Sequence, residues 1–242
     1  MTTFCAHKPV GGAVYDDSVT LQAQLGTGDC EAIHQELLKQ PVNAWSSLAF
    51  AVVGLAVLAS ARSASGADRT NRVVFGLLLS ATGIGSFLFH GPQPDTAHFL
   101  HDLTLLAALW FLVVVNTAGA FSANRQTAAA VFLGGVAVLA LGLLISPGIS
   151  NALVGIVIIL LIASNVVTWT HTGPIRLWHA MAIGVLIAAV ALNLAGRTDS
   201  PWCDPSTLLQ AHAGWHVLAA VFLGLYFMAS ASTRSGIGVG MS

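Results

Sequence analysis

His212 and His216 stand four residues apart in "LLQAHAGWHVLAA". On a helix that spacing puts both imidazoles on one face, about one turn apart. Two rings so placed can bind one metal ion, and a histidine from another helix would complete three ligands. The stretch "GSFLFHGPQPDTAHFLHD", Gly85 to Asp102, offers His90, with Ser86 four residues before it and Asp102 beyond a turn. Three protein ligands and a place for water make a catalytic zinc site rather than a closed structural one. A competing local set is Asp95, His98 and His101. The interfacial reading is the commoner one for a histidine near a helix end, and it is the reading taken for His98, His171 and His179.

These residues lie in a chain of 242 residues that is 55% hydrophobic and 8% charged, where a soluble domain carries about 25% charge. Apolar runs of about 20 residues, the length that crosses a bilayer, recur at 43–61, 72–90, 97–118, 127–146, 151–170, 177–195 and 211–231. The expected fold is all-α, an integral membrane bundle of seven transmembrane helices. Residues 1–42 form an N-terminal segment with no cleavable leader pattern, and 31–39 is expected as a short surface helix. Residues 43–231 form the catalytic domain, and 232–242 a disordered tail.

Basic residues near the spans set the direction. Arg62, Arg69 and Arg72 follow the first span, Arg125 the third, Arg176 the fifth and Arg234 the seventh; Arg197 alone is on the other side. The positive-inside bias places the N-terminus outside and the C-terminus inside. Residues 1–42 are then extracytoplasmic, the tail is cytoplasmic, and Ser86, His90, Asp102, His212 and His216 share one depth near the outer face. Ionisable groups are expensive in a membrane and usually mark a site.

Several function classes fall away. Near-neutral net charge and the lack of a basic run argue against a nucleic-acid partner. The lysines, Lys8 and Lys39, precede the first span, which leaves none for a retinal Schiff base. A transporter would hold its ligands near the midplane, whereas these cluster toward one face.

"GIGSFLFH", an aspartate twelve residues beyond its last histidine, and "HAGWH" on the seventh span resemble the alkaline ceramidase family, within a superfamily of seven-span hydrolases that includes the adiponectin and progestin receptors. The segment "CEAIHQELLKQPVNAWSSLAF" is similar to the entry segment of the same family. The resemblance implies that His90, His212 and His216 bind zinc, that Asp102 handles the proton of the attacking water, and that Ser86 contacts the substrate carbonyl or its oxyanion. It also implies a disulfide between Cys30 and Cys203, which the topology puts outside, where disulfides persist, and leaves Cys5 unpaired. The family's calcium site maps onto Asp29 and Glu31, with Glu36 and Asn43 nearby. Ile33 and Gln40 stand where asparagine and glutamate belong, however, and calcium wants six to eight oxygen ligands. A tight calcium site is therefore not expected.

The expected function is that of a zinc-dependent intramembrane amidase cleaving the N-acyl bond of ceramide or a related membrane lipid. The alternative is a zinc-containing seven-span lipid receptor without significant hydrolase activity; those relatives share the three histidines but have the opposite topology. Scarce lysine beside abundant alanine, glycine and arginine points to a GC-rich bacterial source. The expected location is then the cytoplasmic membrane, with the site toward the outer side.

Overall fold

The computed structural model describes residues 26–172 and 177–237 of the chain. Cys5, Lys8, Arg176 and the last five residues lie outside the described residues, as does most of the N-terminal segment. Seven helices follow one another: α1 (Pro41–Ser60), α2 (Gly66–His90), α3 (Ala97–Ala120), α4 (Arg125–Ile145), α5 (Ser150–Thr172), α6 (Leu177–Ala195) and α7 (Ala211–Ile237). All seven are long and apolar enough to cross a membrane. Among the described residues no strand forms; Asp29 and Arg197 make one isolated bridge.

Three boundaries differ from expectation. Helix α2 begins at Gly66 rather than at 72. Its polar first turns are held by Arg72 Nε donating to Asp68 Oδ2 at 2.9 Å, an i,i+4 pair. The stretch 31–39 is not helical. Its backbone bonds are taken by distant groups: Lys39 N donates to Gly91 O at 3.0 Å and Ala32 N to Pro205 O at 3.3 Å. The helix waits for Pro41, whose ring suits a first helical position. The tail expected to be disordered from 232 instead continues α7 to Ile237.

Helices α2, α3 and α7 build the centre. Phe75 stacks on Phe227 at 4.4 Å and on Phe111 at 5.9 Å between ring centroids. Leu79, Leu106, Leu112 and Leu223 close the space around them. Helix α1 lies close against α2 because Gly54 meets Gly76; a Cβ on either would strike the other's carbonyl oxygen. Small residues permit such backbone contact where two spans pack. Helix α4 is peripheral and exposes Leu133, Val138, Leu141 and Leu144, side chains suited to lipid.

Helix α5 packs on α3 and α6 on α7. Between these pairs lies a cavity of about 360 Å³, walled by Leu105, Val154, Leu186, Trp215 and Leu223, with Asn165 and Tyr226 also in its lining. Polar side chains tie α3, α5 and α7 together there. Asn116 Nδ2 donates to Tyr226 Oη at 2.7 Å and to Ser164 Oγ at 3.2 Å, and Tyr226 Oη donates to Asn165 Oδ1.

At one end of the bundle the segment 26–40 and the α6–α7 loop form a cover. Cys30 and Cys203 are joined by a disulfide, with their Cα atoms 5.4 Å apart. Cys30 N donates to Gly196 O at 2.8 Å, and Thr198 N to Gly28 O at 3.1 Å. The bond closes a loop spanning a sequence separation of 173, so it should stabilise the fold by about 2–4 kcal/mol. Peptide mapping without reductant should recover the two cysteines as one linked pair. Recovery of both as free thiols would contradict the bond.

Candidate metal centre

The metal-ligand candidates sit at helix ends, where two connections let them meet. His90 is the last residue of α2, while His212 and His216 occupy the first turns of α7. Ligand atoms from the three all lie within 4.8 Å of one another, and all three residues are buried. Ring centroids are 5.0 Å apart for His90 and His216, 5.3 Å for His90 and His212, and 4.7 Å for His212 and His216. Among the described residues this is the one three-residue cluster suited to a metal ion. Asp95 is exposed, and His98 and His101 turn to Asp102 instead. The competing local set therefore does not assemble.

Hydrogen bonds fix which ring nitrogen is free. Gln40 Nε2 donates to Gly26 O at 3.1 Å and to Glu31 O at 3.0 Å, which orients the amide and leaves Oε1 as acceptor. His90 Nδ1 is 2.8 Å from that oxygen, so Nδ1 carries the proton. His90 Nε2 is then a lone-pair nitrogen, and it is buried with no hydrogen-bond partner. The same logic holds for His216. When Ser46 Oγ gives its one hydrogen to Asn43 O at 2.9 Å, it accepts from His216 Nδ1, also at 2.9 Å. That arrangement puts the His216 lone pair on Nε2. His212 Nδ1 lies 3.2 Å from Asp29 Oδ1, out of line for a good hydrogen bond. Two imidazoles with a lone pair on Nε2, beside a third facing a carboxylate, fit a metal ion such as zinc. Three protonated imidazoles could not share this space.

Ser86 and Asp102 border this cluster differently. Ser86 Oγ is 2.8 Å from Ser47 Oγ, which is 3.4 Å from His216 Nδ1. A chain of hydroxyls thus joins Ser86 to the cluster. Asp102 is buried, and its two carboxylate oxygens are 2.8 Å from His101 Nδ1 and 3.0 Å from His98 Nε2. The His101 ring in turn meets the His90 ring edge to face, with centroids 6.3 Å apart. His98, read from the sequence as an interfacial residue, is a partner of Asp102.

The residues raised for calcium have partners here too. Glu31 places one carboxylate oxygen 2.7 Å from Val42 N and the other 2.7 Å from Asn43 N. It caps the first turn of α1, where a negative charge also meets the helix dipole. Burial raises its pKa, while those two amides pull it down. Burial pushes Asp29 up to about 6, against the pull of the Arg197 guanidinium.

Sequence reasoning missed Ser46, Ser47 and Gln40 as partners of the histidines. A signal was present for the serines: Asn43, Ser46 and Ser47 fall within one turn of an otherwise apolar span.

The family model described as Ceramidase matches residues 30–236. No curated protein and no solved structure matches the chain.

Proposed function

The chain belongs to the ceramidase family, and from that premise we propose that it is a zinc-dependent intramembrane amidase that cleaves the N-acyl bond of ceramide or a related N-acyl lipid. The observation that carries this reading is the set of three buried histidines, two of them held by Gln40 and Ser46 with the lone pair on Nε2. Zinc bound there supplies a Lewis acid for an amide carbonyl and makes water acidic enough to attack near neutral pH.

The chain's own groups do the rest. Asp102 takes a proton from the attacking water and returns it to the leaving nitrogen, so that the C–N bond breaks to a fatty acid and an amine. His98 and His101 hold the carboxylate in place for both transfers. Ser86 donates to the oxygen that gains charge as the carbonyl becomes tetrahedral. Ser47 makes this possible, because its single hydrogen can serve Asn43 O or Ser86 Oγ. When it serves Ser86, the Ser86 hydrogen is released to the substrate.

The cavity between α3, α5, α6 and α7 accommodates the acyl chain. Trp215, which lines it, adjoins His216, and Tyr226 lies eleven residues further along α7, about 16 Å at the helical rise. Its walls are almost wholly apolar, as a hydrocarbon chain requires. The lipid enters from the membrane side. The site end faces outward, a reading supported by the basic residues at the opposite ends of the spans.

Purified protein should release fatty acid from an N-acyl sphingoid lipid, lose that activity to a chelator, and regain it with zinc. Protein that binds zinc and lipid, yet frees no acyl chain from any N-acyl lipid offered, would identify a receptor instead.

A further inference from the structure

Gln40 is wholly buried, and every polar hydrogen and the oxygen of its amide find a partner. Those partners belong to two different parts of the molecule. Oε1 accepts from the His90 ring at 2.8 Å. Nε2 divides its two hydrogens between the backbone carbonyls of Gly26 and Glu31, at 3.1 and 3.0 Å. The side chain thus joins a candidate metal ligand to the N-terminal segment, which the Cys30–Cys203 bond fastens to the α6–α7 loop.

The local backbone is shaped around this amide. Gly26 has φ of +80°, and a Cβ there would run into the Gln40 side chain. Only glycine both adopts that conformation readily and leaves the room. Gln40 itself is held independently of its side chain, since its N–H donates to His90 O at 2.8 Å and its carbonyl accepts from Ala44 N at 2.8 Å. An amide offers an acceptor and two donors on one planar group, without charge. A carboxylate at this position would keep the bond to His90 but set an oxygen against two carbonyl oxygens. An alkyl chain would lose both ends.

We infer that Gln40 is a positioning residue with two separable roles: Oε1 holds His90 in the tautomer that leaves Nε2 bare, and Nε2 docks residues 26–31 over the metal centre. This rests on the reading of the three histidines as a metal site, and it concerns a residue that the family resemblance marked only as a departure.

The test uses the full chain, in wild-type form and as Gln40→Leu and Gln40→Glu. Zinc affinity is measured by chelator competition, ligand geometry by the visible spectrum of the cobalt-loaded protein, and docking by hydrogen exchange of residues 26–40. Gln40→Leu should weaken zinc about 10–100-fold, the usual effect of losing a hydrogen bond to a ligating histidine. It should also alter the cobalt spectrum and speed exchange in the segment. Gln40→Glu should speed exchange as much, yet hold zinc at wild-type affinity. If Gln40→Leu does not fold, Gln40→Met, of close volume, takes its place.

Wild-type zinc affinity and an unchanged cobalt spectrum in the apolar variant would overturn the inference, leaving Gln40 a packing residue. Equal loss of zinc in the carboxylate and apolar variants would overturn it as well, because the side chain would then act only through the segment. Wild-type protein that binds neither zinc nor cobalt would instead refute the metal reading beneath it.

Discussion

The double substitution His212→Ala/His216→Ala should abolish zinc retention and with it the hydrolysis of N-acyl lipids. Two of the three proposed ligands are removed at once, and His90, on another helix, offers a single nitrogen. One imidazole does not retain zinc through purification, whereas three with a place for water describe a catalytic site. Elemental analysis should find about one zinc per wild-type chain and almost none in the variant. The lost Lewis acid is worth several kcal/mol in the transition state, so the rate should fall by about three powers of ten or more. Residual folding is expected, because the Phe75, Phe111 and Phe227 stack lies deeper in the bundle. Full zinc content in a folded double variant would remove the three histidines from the site.

The second large effect concerns Asp102 and Ser86, whose proposed roles are with protons and charge rather than with the metal. Asp102→Asn keeps the shape and one acceptor for His98 or His101, but removes the carboxylate proposed to take the water proton. That role is usually worth about 10²–10⁴-fold in rate. Ser86→Ala removes one donor to the oxyanion, for which about 10²–10³-fold is expected. Both variants should retain zinc, since neither side chain shares a hydrogen bond with a ligating histidine directly; Ser86 reaches His216 through Ser47, and Asp102 faces His90 through His101. Zinc and fatty-acid release must be measured on the same samples. Zinc retained with activity lost supports the assigned roles. Zinc lost together with activity would make these side chains supports of the metal, and unchanged activity would dismiss them from the reaction.

Much of the site was legible before any fold was known. The i,i+4 pairs Ser86/His90 and His212/His216 are local geometry, because a helix by itself puts such residues on one face. Seven apolar runs of bilayer length likewise dictate helices, since unpaired backbone groups cannot face lipid. The proximity of α2 to α7 was a different matter. Topology put the three histidines at one depth and family resemblance joined them in one site; the structure supports their proximity with ring centroids no more than 5.3 Å apart.

What tertiary structure decided is the hydrogen bonding of two of those rings, His90 and His216, and the shape of the cover. The free nitrogen on His90 depends on Gln40, fifty residues earlier, and on Gly26 and Glu31 turning that amide. The free nitrogen on His216 depends on a serine 170 residues away, whose hydrogen is taken by Asn43. No periodicity encodes such pairs, because they join residues 50 and 170 positions apart through contacts that only the packed bundle makes. The same holds for 31–39, where a local helical reading lost to bonds with Gly91 and Pro205. Local propensity amounts to tenths of a kcal/mol per residue. A buried backbone group left without a partner costs about 1–3 kcal/mol, so the distant partners win.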